Sequence, residues 1–194
     1  MKIPDNISKC LVLTNYRSGS TEFCEINADI SRGIINLYEI LHDKEKYSNI
    51  DDAINVLKYT DKFIVKMMPD QFNFNIDQFE KILKYVNEII YLYRKDYKAQ
   101  CLSWIACKKL KWTSKRPKNE KQAIIDIDQR FADTHSLTIK KNNDMLGAIY
   151  KKYPGPIYAY EDIQNNNPYA INYIWKYKPY IGDYDTNNIF KEQE

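Results

Sequence analysis

The chain has 194 residues, a length that fits one domain and argues against a second full catalytic module. Hydrophobic residues make up 44% and charged residues 28%, enough apolar surface for a core and too little charge bias for a disordered chain. With 29 Lys and Arg against 26 Asp and Glu, the formal net charge is +3, which disfavours a general polyanion binder and leaves a local anion site open.

No run approaches the roughly 18 apolar residues that a membrane span needs, and the first residues lack the apolar core of a signal peptide. The expectation is a cytoplasmic protein with no membrane partner. Cys10, Cys24, Cys101 and Cys107 have no metal-type spacing, and His42 and His135 stand far apart, so neither a zinc site nor a disulfide framework is suggested. No repeat or Pro/Gly-rich linker divides the chain, and a single domain over 1–194 is expected, with a core at about 9–162 and an extension at about 163–194.

Along the chain, strands and helices alternate, which predicts an α/β fold. The first strand is Cys10-Leu11-Val12-Leu13-Thr14, an apolar run of the kind found where both faces of a parallel strand are covered. A helix is expected over 20–29 and another over 51–59, where Ile54 and Leu57 have helical spacing. Phe63-Ile64-Val65-Lys66-Met67 reads as the next strand. Phe79, Ile82, Leu83 and Val86 share one face of a helix over 77–86, and Ile89-Ile90-Tyr91-Leu92-Tyr93 reads as a buried strand after it. Asp96 is placed to cap a helix running to about 112. A basic loop follows at 108–121, then helices at about 120–132 and 136–153. Pro154-Gly155-Pro156 breaks the chain before a short strand over 157–160, and no helix is expected in the Asn- and Tyr-rich tail.

Two segments carry most of the chemistry. The first strand is followed by Asn15-Tyr16-Arg17-Ser18-Gly19-Ser20-Thr21 and a helix. At such a turn, backbone N–H groups and the positive end of the helix dipole favour a phosphate or sulfate. Arg17 adds a charged donor, and Ser18, Ser20 and Thr21 add hydroxyls. The plain alternative is an ordinary serine-rich helix cap. The Walker pattern is missing, because Ser20 stands where the Lys after Gly19 is required. The second segment puts Arg94 at the carboxyl end of a strand and Ser103 two turns into the next helix; carboxyl ends of parallel strands are where such sheets bind ligands. Its alternative has Arg94 paired with Asp96 and Ser103 buried in a helix.

Together these segments resemble the sulfotransferases that use 3′-phosphoadenosine 5′-phosphosulfate (PAPS), in particular the small bacterial trehalose-type and phage-encoded branch. In that family an R-S-G-S-T loop holds the 5′-phosphosulfate and an R-x-D-x-x-x-Q-x-x-S segment holds the 3′-phosphate. Both patterns stand intact here, at Arg17, Ser18, Gly19, Ser20 and Thr21, and at Arg94, Asp96, Gln100 and Ser103. Tyr158-Ala159-Tyr160-Glu161-Asp162 is similar to the family's late strand ending in Tyr-Glu-Asp and is expected to be scaffold. The segment from Gly33 to Glu39 resembles the stretch where this branch presents a Glu to the acceptor, which makes Glu39 the candidate base. A base His used elsewhere in the family is replaced by Met68, two residues after Lys66.

The resemblance implies a three-layer α/β/α fold with a mainly parallel central sheet, of the P-loop nucleoside triphosphate hydrolase-like type. It implies sulfuryl transfer from PAPS to a hydroxyl of a small-molecule or carbohydrate acceptor, with adenosine 3′,5′-bisphosphate (PAP) as product and no metal. Arg17, Lys66 and Glu39 would act in catalysis; Arg17, Ser18, Gly19, Ser20, Thr21, Arg94 and Ser103 would hold the donor. Lys140-Lys141 and Lys151-Lys152 are the candidates for a late basic segment that closes over the 3′-phosphate. The rival readings are a kinase-like phosphoryl-transfer protein and a non-catalytic nucleotide or nucleic-acid binding module using residues 108–121. Nucleic acid is not the expected partner, because a charge run is more often a solvated loop.

Overall fold

The computed structural model describes residues 8–41, 50–111, 122–163, 172–176 and 178–190. Its centre is a five-stranded parallel sheet built from β1 (Lys9–Thr14), β2 (Ile35–Tyr38), β3 (Phe63–Met67), β4 (Glu88–Tyr93) and a last strand at Ile157–Ala159. In spatial order these run β2, β3, β1, β4 and then the last strand. The helices are α1 (Ser20–Asn27), α2 (Ile50–Tyr59), α3 (Ile76–Leu83), α4 (Tyr97–Lys109) and α5 (Gln129–Lys152). Among the described residues no helix is long and apolar enough to cross a membrane.

Alternation along the strands sorts the core into two layers. Leu11, Leu13, Phe63, Val65, Met67 and Tyr91 face one way and pack with Ala53 and Leu57 of α2, Phe79 and Ile82 of α3, and Leu146 and Ile149 of α5. Cys10, Val12, Ile64, Ile90 and Leu92 face the other way, onto Phe23 and Cys24 of α1. Right-handed crossovers require this division, since the chain moves one way along the sheet from β1 to β2 and the opposite way in its other connections. The connection from β1 leads toward β2 and the one from β4 leads away from it. The carboxyl ends of β1 and β4 therefore form the topological switch point, where open parallel sheets bind ligands.

The predicted strands 10–14, 63–67 and 89–93 match β1, β3 and β4, and Asp96 caps α4 by accepting from the Ala99 N–H at 2.8 Å. Two expectations need correction. Residues 122–125 form a strand, β5 (Gln122–Ile125), instead of a helix over 120–132. The two helices expected at 120–132 and 136–153 are replaced by the single α5, which starts where Asp128 accepts from the Phe131 N–H at 2.7 Å. The polar stretch at 133–138 does not break it, because Thr134, Ser136 and Thr138 bond back to carbonyls of the preceding turn. The strand at Ile157–Ala159, β6, is followed by the four-residue helix α6 (Tyr160–Ile163). The tail adds β7 (Asn172–Trp175), which pairs in parallel with β5.

The end of the described chain straps back over the domain. The Thr186 hydroxyl donates to the Lys95 carbonyl at 2.5 Å, and Phe190 packs edge-on against Tyr91, Tyr93 and Tyr150. The strap crosses α5 at Gly147, where a Cβ would lie 2.6 Å from the Ile189 carbonyl oxygen. Replacing a helical Gly by Ala ordinarily gains up to about 1 kcal/mol. Here the clash is with backbone, and we expect Gly147→Ala to lower stability by about 1–2 kcal/mol. Urea unfolding of the two proteins measures this, and a more stable variant would mean that the strap does not seat on α5.

Candidate functional site

The loop after β1 is tied down from within. The Thr14 and Ser18 hydroxyls lie against each other, Thr14 Oγ1 lies 2.8 Å from the Leu92 carbonyl of β4 and Ser18 Oγ lies 2.7 Å from the Asn15 carbonyl, so two hydroxyl protons serve these three contacts. Ser18 is fully buried, so its hydroxyl shapes the loop and does not reach outward as the motif suggested. Arg17 and Gly19 both have left-handed backbone, with φ of 60° and 73°. At Gly19 a Cβ would also lie 2.4 Å from the Tyr160 ring, so glycine is required there twice over. α1 begins at the next residue, Ser20, without a side-chain cap.

Beneath the loop lies a buried polar network. The Asn15 amide donates to the Ile139 carbonyl at 2.8 Å and to Asn143 Oδ1 at 2.7 Å, while its own Oδ1 accepts from the Tyr16 N–H at 2.7 Å. The Gln100 amide donates to the Tyr16 carbonyl at 2.7 Å, and the Tyr16 ring stacks on Trp104 with centroids 3.9 Å apart. The Tyr16 hydroxyl donates to Asp70 Oδ2 at 2.7 Å, and Asn142 Oδ1 accepts from the Asp70 N–H at 3.0 Å. Burial, the largest influence, raises the Asp70 carboxyl above its ordinary value, and burial beside Asp70 raises the Tyr16 phenol. The network fixes the loop to α4 and α5, so Gln100 of the second motif acts as a support.

The two motifs meet. Arg17 Nε donates to Ser103 Oγ at 3.0 Å, and Arg94 Nη1 donates to the Arg17 carbonyl at 3.5 Å. Arg94 does not pair with Asp96, the alternative the sequence offered; its Nε lies 3.6 Å from Glu161 Oε1.

On the other side of the loop, Lys66 projects from β3 on the face covered by α1. Lys66 Nζ donates to Thr21 Oγ1 at 2.5 Å and lies 2.6 Å from Glu39 Oε1, with side chains only 5% and 20% exposed. Gln71 donates to Glu39 Oε2 at 3.3 Å. Glu39 sits directly after β2, at the carboxyl end of an edge strand. All the predicted site residues thus gather along one edge of the sheet: Arg17, Ser20, Thr21, Lys66 and Glu39 from its centre to one side, and Arg94 and Ser103 on the other.

Sequence reasoning missed Gln71, Tyr160, Glu161, and the Asp70 and Asn142 supports. Only Tyr160 and Glu161 carried a signal, the Tyr-Glu-Asp string, and it read as scaffold. Lys152 pairs with Glu80 at the end of α5 that leads into the amino end of β6, so Lys151-Lys152 lies at the opposite edge of the sheet and cannot close this site. Lys140 pairs with Asp144 within α5. In the basic stretch, Lys108 lies over the Trp104 ring at 4.3 Å, and residues 112–121 lie outside the described residues, as does His42. His135 packs edge-on to Phe131 and burial lowers its pKa, a structural role.

No protein-family model matches the chain, and no curated protein matches it either.

Because the folded state raises the Asp70 pKa, it holds that proton more tightly than the unfolded chain does. The resulting stabilisation is fully present below the ordinary value of 3.8 and is lost as pH rises through the raised value. Asp70→Asn keeps the shape without the ionisation. Its melting temperature relative to wild type should therefore be higher at pH 7 than at pH 4, and the opposite trend would mean that Asp70 is favoured as a carboxylate.

Proposed function

We propose that this chain is a sulfotransferase that moves a sulfuryl group from PAPS to a hydroxyl of a small-molecule or carbohydrate acceptor, on a P-loop-like version of the α/β fold. The observation that carries the reading is the direct contact between its two motifs. Arg17 of the loop bonds Ser103 of the second segment, and Arg94 reaches the Arg17 carbonyl. A ligand with phosphates at both ends of one nucleotide needs such a pair of cationic side chains at one strand edge.

The Lys66 placement supports the same reading. A cation beside the N-terminal turn of α1 faces the positive end of the helix dipole, an unfavourable neighbour that an anion offsets. Glu39 supplies that anion in the structure, and the sulfuryl-phosphate bridge would supply it on donor binding. Lys66 then turns from Glu39 to the bridging oxygen, and Glu39 becomes available as a base.

In the reaction, the acceptor O–H proton passes to Glu39 as the acceptor oxygen forms its bond to sulfur. The bond between sulfur and the bridging oxygen breaks, and its electron pair leaves with PAP. Lys66 and the loop donors from Arg17 to Thr21 neutralise the charge that grows there; single preorganised donors of this kind are worth roughly 10²–10³ in rate. Arg94 and Ser103 hold the 3′-phosphate.

Transfer of label from sulfur-35 PAPS to a panel of sugars and small alcohols tests the activity. We expect labelled product with wild type and a loss of roughly 10²–10⁴-fold in turnover with Glu39→Gln. Full turnover by that variant would put the base elsewhere, and a wild-type protein that neither binds PAPS nor releases PAP would sink the reading.

A further inference from the structure

The Arg94 guanidinium is held from two sides by one short element. Tyr160, the first residue of α6, lays its ring over the guanidinium at 5.0 Å and also covers Gly19. Glu161, the next residue, accepts from the Lys95 N–H through Oε2 at 2.9 Å and from the Asp96 N–H through Oε1 at 3.2 Å. Those two bonds fix the carboxylate on the backbone of the turn that carries Arg94, independently of the Arg94 side chain. The fixed anion then stands 3.6 Å from Arg94 Nε, a buried N–H that has no hydrogen-bond partner among the described residues. An unpaired buried donor is costly, and the carboxylate reduces that cost for one orientation of the guanidinium: Nε toward Glu161 and Nη1 toward the loop, where it meets the Arg17 carbonyl at 3.5 Å.

We propose that Glu161 is a positioning residue for Arg94 and sets the preference for a nucleotide carrying a second phosphate over one with the 5′-phosphate alone. The proposal rests on the donor reading above. It gives Glu161 a role beyond scaffold: its backbone bonds place a charge, the charge turns the guanidinium, and the turned guanidinium meets the 3′-phosphate. A permanent carboxylate beside Arg94 also separates this arrangement from an open anion cradle, because the Lys95 and Asp96 N–H groups are already taken. Selectivity then falls on the side chains of Arg94, Arg17 and Ser103.

Calorimetry with PAP and with AMP on wild type, Glu161→Gln and Glu161→Asp tests this, with thermal unfolding as the check on folding. The Gln variant should bind PAP about tenfold more weakly, the scale of one oriented charge-assisted hydrogen bond, and bind AMP as wild type does. The Asp variant keeps the charge and should recover part of the lost preference. Equal PAP affinity in the Gln variant would overturn the proposal, and tighter PAP binding would make Glu161 a competitor of the ligand. The arginine Nε–H resonance, assigned by its loss in Arg94→Lys, gives a readout without ligand. It should shift in Glu161→Gln and shift less in Glu161→Asp, which keeps the charge. A resonance unmoved in both variants, or in the Asp variant alone if Glu161→Gln fails to fold, would overturn the proposal. Wild type that binds PAP no better than AMP would count against the donor reading, leaving the resonance to decide the coupling of Glu161 to Arg94.

Discussion

Strand β1 lies between β3 and β4, parallel to both, and this placement forces three unlike pieces of chain to end at one edge. The loop after β1 turns into α1, β3 delivers Lys66, and β4 delivers Arg94. The Thr14 hydroxyl joins the first and third of these by reaching the Leu92 carbonyl. Because connections leave β1 and β4 in opposite directions, the space between them is not crossed by a helix. Every polar side chain that the functional reading uses borders that space or its flank.

The site carries more charge and strain than the fold needs. Lys66 is almost fully buried, and a buried ion pair is seldom more stable than an apolar pair of the same size. Arg17 adopts a left-handed backbone without being glycine, and such conformations persist where surrounding contacts over-determine them. Here the contacts are identifiable. Asn15, Asn143, Gln100 and the Tyr16–Trp104 stack hold the loop from below, and Tyr160 closes on it at Gly19. A loop held on both sides keeps its donors in one geometry, which is the condition for electrostatic preorganisation.

Much of this was legible in the sequence, for local physical reasons. Unbroken apolar runs marked β1, β3 and β4, since strands covered on both faces need no alternation. The edge strand β2 was missed because two of its four residues are exposed and two only partly buried, and they carry no such run. The segment at 122–125 was misread because Ala123, Ile124 and Ile125 fit either period over so short a stretch, and its partner β7 lies some fifty residues away. Arg17, Arg94 and Ser103 were expected from two motifs, Lys66 from a strand end and Glu39 from the resemblance of the segment from Gly33 to Glu39. Gln71, Asp70 and Asn142 were not, because their roles exist only through contacts between elements far apart in sequence. Glu161 was in view as part of a string, but its pairing with Arg94 depends on β6 lying beside β4.

The measurement that bears most directly on the central claim is a calorimetric titration of the wild-type protein with PAP, AMP and Mg-ATP at one salt concentration. A site built from Arg17, Arg94 and Ser103 at the β1–β4 edge predicts that PAP binds most tightly, by at least tenfold over AMP, because only PAP carries the second phosphate those residues would hold. Preference for Mg-ATP, or no binding of any of the three, would contradict the account.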